Sequence, residues 1–351
     1  MSNINWHQIT PQAQQEFAPR AAELIANGTV VKANAVRTVL RSEDYFIKVE
    51  RRKHHSFTGE FAIAQALTAA NIPVVEHLAC GSDADAHYLV TRALPDAVEV
   101  TALRKSAHLD DDFLQKLSAF LTAFAHAPFI HNDFHCGNIL CANGNFTLVD
   151  VCAVRRKWWW EKFHLPRSAF HPLTEFRSRL SAGKLTALFA NCGIKDAPGF
   201  YRSMWHAAAA ALFKEWRKRR QQLFAAYPKF SFRQSGLLCR TDAQNSLSGC
   251  REVSSPLAAE IFALGLFLEL AGIPAAQVAA VDIAKNKYFL AHTGTIQPDG
   301  GEISDAAFRL GCFKLSLPEE LWGTSPDRLP AVTSPEAMEH LAVQLSLILK
   351  D

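Results

Sequence analysis

Apolar residues along this chain recur first in helical spacing, then in alternation, then mostly in helical spacing again, and that succession predicts the order of its elements. Residues 11–27 carry apolar positions at Phe17, Ala21, Leu24 and Ile25 and stop at Gly28, which predicts a helix. Two strands follow, around Thr29–Lys32 and Val36–Leu40. Ser42-Glu43-Asp44 then turns the chain into a third, Tyr45-Phe46-Ile47-Lys48-Val49. Thr58 to Ala70 is a helix ended by Asn71-Ile72-Pro73, Val74–Ala79 and His87–Thr91 are two more strands, and Leu94-Pro95-Asp96 is a linker. Beyond it a helix begins near Phe200, and Ser334-Pro335-Glu336 opens another that runs to Lys350. Strands around one helix, followed by a largely helical region, make an α+β chain with two lobes and a cleft for a ligand between them.

The densest chemistry falls in His131-Asn132-Asp133-Phe134-His135-Cys136-Gly137-Asn138, followed by the apolar strand Phe146-Thr147-Leu148-Val149 and Asp150. This is an H-x-D-x-x-x-x-N pattern with a downstream aspartate, the catalytic-loop and metal-loop arrangement of protein-kinase-like phosphotransferases. Asp133 has the chemistry to orient an attacking hydroxyl and accept its proton. Asn138 and Asp150 offer oxygen ligands to Mg²⁺ ions holding nucleotide phosphates. Asn143-Gly144-Asn145 between two apolar runs predicts a hairpin that draws Asn138 and Asp150 together.

Two upstream residues gain meaning from that loop. Lys48 sits in the third strand and Glu60 in the helix after it. A lysine buried there needs a carboxylate, and such a pair places the ammonium on the α- and β-phosphates of ATP. Alone, each reads more simply as a solvated surface charge. No glycine occurs in Lys32-Ala33-Asn34-Ala35-Val36-Arg37-Thr38, so a glycine-rich phosphate cover is not expected. Phosphate contacts there would fall to backbone N–H groups or Arg37.

Composition narrows the classes. Hydrophobic residues are 49% and charged residues 20%, a globular balance, and a net charge of +3 is too small to argue for a nucleic-acid partner; none is expected, and any basic partner site must be local. The eight cysteines show no C-x-x-C spacing and read as reduced thiols, of which Cys136 and Cys152 fall inside the suspected site, where oxidation would inhibit it. The N-terminus has neither a basic nor an apolar signal region, and the apolar run Ile261 to Leu268 is too short to span a bilayer. A cytoplasmic protein, soluble or peripheral on the membrane's cytoplasmic face, is expected.

Together these residues resemble the lipopolysaccharide-core kinase family, bacterial enzymes that phosphorylate Kdo or heptose sugars. The resemblance covers about residues 28–225: the glycine-poor pair Val30–Leu40, Tyr45-Phe46-Ile47-Lys48, the helix holding Glu60, Asn71-Ile72-Pro73-Val74, Tyr88-Leu89-Val90-Thr91-Arg92, and the Asp133 and Asp150 motifs. It implies a two-lobed protein-kinase-like fold, with a small β-rich lobe over residues 1–95 and a larger helical lobe over 96–230. Residues 231–351 form an extra α/β region outside it. The resemblance implies transfer from ATP, with Mg²⁺, to a sugar hydroxyl of a membrane glycolipid. Lys48 and Glu60 are then the phosphate-anchoring pair, Asp133 the base, and Asn138 and Asp150 the metal ligands. His135 stands where protein kinases place a lysine touching the transferred phosphoryl group. Departures are Val151-Cys152 after Asp150, where Phe-Gly is usual, and Asn132 in place of arginine, which gives no handle for activation-loop phosphorylation. A soluble small-molecule kinase of aminoglycoside or choline type is the alternative, suggested by Asp133-Phe134-His135 and Gly137-Asn138. A pseudokinase scaffold is a third reading.

Three further segments carry expectations. Arg155-Arg156-Lys157-Trp158-Trp159-Trp160 suits an anionic membrane interface or, equally, tryptophans packed under the substrate lobe with solvated cations. Three adjacent residues are not expected to face one way. Lys214-Glu215-Trp216-Arg217-Lys218-Arg219-Arg220 reads as a solvated helix face, though its cations would also suit an anionic sugar. Residues 256–292 echo residues 56–92: Glu260-Ile261-Phe262-Ala263, Gly272-Ile273-Pro274 and Lys287-Tyr288-Phe289-Leu290 follow Glu60-Phe61-Ala62-Ile63, Asn71-Ile72-Pro73 and His87-Tyr88-Leu89. That is either a degenerate second small lobe or coincidence between two helix–hairpin units.

Overall fold

Tyr45, Ile47 and Val49 point inward in alternation along β4 (Tyr45–Glu50), and this strand accordingly takes a central place in the first sheet. The computed structural model describes residues 4–51, 57–105, 109–163, 166–178, 180–241, 249–273, 275–291, 303–321, 323–325, 328–332 and 334–348. The chain divides into two units, Met1–Pro172 and Leu173–Asp351.

In the first unit, β1 (Asn5–Ile9), β2 (Thr29–Ala33), β3 (Arg37–Ser42), β4, β5 (His77–Ser82) and β6 (His87–Arg92) form an antiparallel sheet in the order β1-β5-β6-β4-β3-β2. The helix expected over 11–27 is broken. Thr10 caps α1 (Pro11–Glu16) by accepting from the Ala13 N–H at 3.2 Å, a 3-10 turn follows at Ala18–Arg20, and α2 (Ala21–Ala26) resumes. Pro19 lies in that turn; it has no N–H to donate and its ring crowds the preceding turn. Phe17, Leu24, Ile47, Leu78 and Val90 share the core beneath.

α3 (Thr58–Ala69) ends at Asn71, which takes the left-handed conformation at φ 57°. The strand expected from Val74 starts only at His77, so the chain beyond α3 does not enter the sheet at Val74. Val74 bridges Leu148 in parallel: the Val75 N–H donates to the Leu148 carbonyl and the Leu148 N–H to that of Pro73, both at 2.9 Å. These bonds tie the helix carrying Glu60 to the strand that leads into Asp150.

The rest of the unit supports the loop at Asp133. β7 (Val98–Glu99) leads into α4 (Val100–Lys105), and Asp110 caps α5 (Asp111–His126), whose Leu114, Leu117, Leu121 and Phe124 form one buried stripe. β8 (Phe129–His131) pairs with β11 (Val154–Arg156), bracketing the segment that holds Asp133, Asn138 and Asp150. Between them β9 (Ile139–Ala142) and β10 (Asn145–Leu148) form the hairpin expected at Asn143-Gly144, both of whose residues have positive φ, 51° and 76°. The short α6 (His171–Thr174) spans the division between the units.

The second unit holds α7 (Ala182–Asn191), α8 (Ala197–Phe224), and a sheet ordered β12 (Ser231–Gln234), β13 (Leu237–Arg240), β15 (Val278–Asp282), β16 (Lys287–Leu290), β14 (Arg251–Ser254). Its pairings repeat those of the first. Tyr288 faces Val281 and Val253 as Tyr88 faces Gly81 and Val49. The mostly apolar α9 (Ala258–Ala271) follows β14 and precedes the β15–β16 hairpin as α3 follows β4 and precedes β5–β6, and Ala275 bridges Val332 in parallel as Val74 bridges Leu148. The hairpin β17 (Gly323–Ser325) and β18 (Arg328–Ala331) runs into Val332 as β9–β10 runs into Leu148, with α10 (Ile303–Cys312) before it and α11 (Pro335–Ile348) after it. Pro274 and His292 of the sequence echo lie outside the described residues. A buried Arg309 fixes this unit internally, donating to the carbonyls of Gly272 at 3.0 Å and Leu180 at 2.8 Å.

Candidate active site

Five of the residues singled out from sequence are brought to one place in the first unit by the sheet, α3 and the β8–β11 bracket. Lys48 projects from β4 and its Nζ donates to Glu60 Oε1 and to Asp150 Oδ1, each at 2.8 Å. Burial works to lower the Lys48 pKa, but the charges of the two carboxylates outweigh it and hold it above its ordinary value. Glu60 is buried. Burial pulls its pKa upward, but the neighbouring His77 and the charge of Lys48 bring it below the usual carboxylate range. Burial likewise opposes the ionised form of Asp150, and Lys48 overrides it. The buried His77, Nε2 3.8 Å from Glu60, was not singled out from sequence; nothing in Val75-Glu76-His77 marks a strand-start histidine as a partner of a helix 17 positions upstream.

Asp133 follows β8 directly. Its N–H donates to His131 Nδ1 at 3.2 Å, and the His131 ring stacks on Phe134 with centroids 5.1 Å apart. An Nδ1 that accepts places the ring proton on Nε2 and requires a neutral ring. Burial supplies that condition by pushing the His131 pKa down from 6.5 to about 4. The unfolded chain therefore takes up a proton as pH falls below 6.5, while the folded chain does so only near 4. Stability present above this window should be lost as pH falls through it, by roughly 3 kcal/mol in total. Urea denaturation across pH 4–7 checks this: His131→Phe keeps the ring and should flatten the acid limb, whereas an unchanged limb refutes the assignment.

The Asp133 carboxylate itself is 74% exposed, with His135 Nε2 at 3.8 Å. His135 Nδ1 accepts from the Gly137 N–H at 3.0 Å, and a Cβ on residue 137 would lie 2.9 Å from that ring, so only glycine permits the turn. Asn138 is buried and its Nδ2 donates to the Asp133 carbonyl at 2.8 Å, while its own carbonyl accepts from the Val149 N–H at 3.0 Å. The loop at Asp133 and the segment leading into Asp150 are thus one hydrogen-bonded piece. Asp150 takes the left-handed conformation at φ 55°, uncommon for a residue with a side chain and held here by its neighbours.

The donor set fits a hard divalent cation. Asn138 Oδ1 and Asp150 Oδ2 are oxygen atoms left without a protein hydrogen bond among the described residues, and Mg²⁺ takes one or two such ligands with waters and phosphates completing its shell. Glu60, Asp150 and Cys152 also cluster, but Lys48 already bridges the two carboxylates there. Burial and the Asp150 charge push the Cys152 thiol up to about 11, which favours the protonated and less reactive form. Cys136 is buried, donating to the Pro172 carbonyl.

The first 141 residues match the family model of fructosamine kinase, a stretch containing Lys48, Glu60, Asp133 and Asn138. That match covers less than half of the chain. No curated protein matches it. Two solved structures of WbdD are similar over part of the chain, one a co-crystal with a kinase inhibitor at 22% identity and one at 20%. They cover 36% and 37% of this chain and 33% of each WbdD chain, with a TM-score of 0.27 in both. This chain thus spans about a third of the length of those chains, and a likeness of that size carries no argument about fold or acceptor. No helix among the described residues is long and apolar enough to cross a membrane.

The segment after β11 differs from expectation. Trp158, Trp159 and Trp160 are all exposed, by 59%, 70% and 51%, so three adjacent indoles do face solvent together, because a 3-10 turn rather than a strand carries them. Trp158 and Trp160 stack at 5.5 Å. Of the cations beside them Arg156 is exposed, and the other two are engaged within the protein. Arg155 forms a two-pronged pair with Glu161 at 2.7 Å, and Lys157 is buried, donating to the Ala125 carbonyl at 2.6 Å. In the second run Trp216 is buried and Arg219 pairs with Glu215.

Proposed function

We propose that this protein is a kinase, transferring the γ-phosphoryl group of Mg-ATP to a hydroxyl of a sugar or sugar conjugate. The observation that carries the reading is the convergence of the Lys48–Glu60–Asp150 charge chain with the loop that fixes Asp133 and Asn138. Lys48 would hold the α- and β-phosphates, Asn138 and Asp150 the metal, and Asp133 the acceptor hydroxyl, with His135 beside the phosphoryl group in transit. A bound Mg²⁺ would supply charge neutralisation on the phosphates. The sugar class is supported by the fructosamine kinase match and by the resemblance to kinases of the lipopolysaccharide core.

The finer acceptor we propose is an inner-core glycolipid carrying Kdo or heptose, met at the cytoplasmic membrane face. The three exposed indoles support an interfacial or sugar-stacking surface. The internal engagement of Arg155 and Lys157 favours the second reading, a small-molecule kinase, because those charges are spent within the protein. We also propose that catalysis resides in residues 1–172 and that the region over 231–351 is a degenerate repeat. Glu252 stands where Lys48 stands, Ser334 where Asp150 stands, and Leu315-Ser316-Leu317-Pro318 before the second hairpin holds no carboxylate.

An acceptor panel tests these readings. Purified protein with Mg-ATP is offered a free ketosamine, Kdo, deacylated core oligosaccharide, and core glycolipid in anionic vesicles, and phosphate addition is read by mass spectrometry. Transfer to the core acceptors supports the glycolipid reading, transfer to the ketosamine alone supports the small-molecule one, and transfer to none sinks both. Calorimetry on the same protein should give one nucleotide per chain; two would overturn the degenerate-repeat assignment.

A further inference from the structure

We infer that Arg37, held by the buried Glu50, is the phosphate-binding group that stands in for a glycine-rich loop in this kinase. The inference rests on the ATP-binding reading of the Lys48 site and extends it to a residue outside the motif set.

A glycine-rich cover works by presenting backbone N–H groups to phosphate. The corresponding turn here, between β2 and β3, has three of those groups committed. Asn34 Oδ1 accepts from the Val36 N–H at 3.0 Å and the Arg37 N–H at 2.8 Å, and the Asn34 N–H donates to the Arg37 carbonyl at 2.8 Å. The side chain of Asn34 closes the turn on itself, which removes the need for glycine and also occupies most of the donors a phosphate would use. A side chain is then the stronger source of phosphate binding at this edge.

Arg37 is placed for it. In the β3–β4 register Arg37 lies opposite Glu50 and Val39 opposite Lys48, so Arg37, Glu50 and Lys48 occupy the same face of the sheet. Arg37 Nε donates to Glu50 Oε2 at 2.9 Å, and Glu50 is 1% exposed, so the guanidinium is fixed along one edge. Its Nη groups have no hydrogen-bond partner among the described residues, and the guanidinium is 29% exposed. The negative charge of Asp150 is felt at Arg37 and the positive charge of Arg37 at Asp150, which places the two in one field. A planar cation anchored on one edge and free on the other matches two phosphate oxygens, and with Lys48 it would put two cations on one polyphosphate.

The test compares ligands that differ only in phosphate. Isothermal calorimetry with Mg-ATP, Mg-ADP and adenosine is run on wild type, Arg37→Gln, and the pair Arg37→Gln with Glu50→Gln. The pair variant removes both charges together, so that no carboxylate is left buried without its cation. Loss of a charge-assisted contact should weaken Mg-ATP by about ten- to a hundredfold and leave adenosine unchanged in both variants. Equal affinity of variants and wild type for Mg-ATP, or equal weakening of ATP and adenosine, would overturn the role of Arg37 while leaving the kinase reading intact. Wild-type protein that binds no Mg-ATP would overturn both.

Discussion

Asp133→Asn should lower phosphoryl transfer by about a hundred- to ten-thousandfold while Mg-ATP binds nearly as in wild type. The structure separates the two functions of this residue. Its backbone carbonyl accepts from Asn138 and its N–H is held by His131, so the fold of the loop depends on main-chain groups that the substitution leaves alone. Its carboxylate is exposed, with His135 Nε2 no nearer than 3.8 Å and no hydrogen-bond donor among the described residues, which leaves it open to an acceptor hydroxyl. An amide of the same shape can still orient that hydroxyl but cannot take its proton. Turnover and calorimetric affinity on the same preparation decide the matter. A fall in nucleotide affinity matching the fall in rate would assign Asp133 to the nucleotide and leave the base unidentified.

What could be read from the sequence follows the range of the interactions. The β9–β10 hairpin was legible because Asn143-Gly144 demands positive φ at both positions, a purely local requirement. Lys48 and Glu60 were legible as a pair because a strand followed directly by a helix returns the chain over a short distance. β1 was not, since its register is set by β5, more than 70 positions away, and Asn-Trp-His-Gln-Ile shows no clean alternation. Val74 and Val75 read as strand because they are β-branched. Their hydrogen bonds go instead to the strand before Asp150, a partner that only the tertiary fold supplies.

The same limit applies to charge. Arg155, Arg156 and Lys157 look like a basic cluster because sequence counts cations without their partners. Glu161, six positions on, and the end of α5 absorb two of them. Arg37 is the opposite case. Its sequence context shows only that glycine is missing, whereas the structure shows why glycine is not needed and which guanidinium edge is left over. The echo over 256–292 gained its content in the same way: the similarity lies in the pairing register around Tyr88 and Tyr288 and in two parallel bridges, neither of which a pattern of apolar residues encodes.

Asp150→Ala should abolish the metal-dependent part of nucleotide affinity, and the charges around it make this a clean substitution. Lys48 is shared between Glu60 and Asp150, so removing Asp150 leaves a one-to-one ion pair with Glu60 still in place. Lys48→Ala does the reverse, stranding two carboxylates, one of them buried, and its loss of activity would be mixed with a loss of stability. Without the Asp150 carboxylate, Asn138 would be the one remaining protein oxygen for Mg²⁺, a neutral ligand that cannot offset the polyphosphate's affinity for water-bound metal. Titration of ATP with and without Mg²⁺ should therefore give two affinities in wild type and one, the weaker, in Asp150→Ala. The melting temperature should stay close to wild type, since the Lys48–Glu60 pair and the Asn138 bonds to the loop persist. An Asp150→Ala protein that keeps its Mg²⁺ dependence would move the metal to other oxygens, and Glu60 would be the next carboxylate to test, at the cost of freeing Lys48.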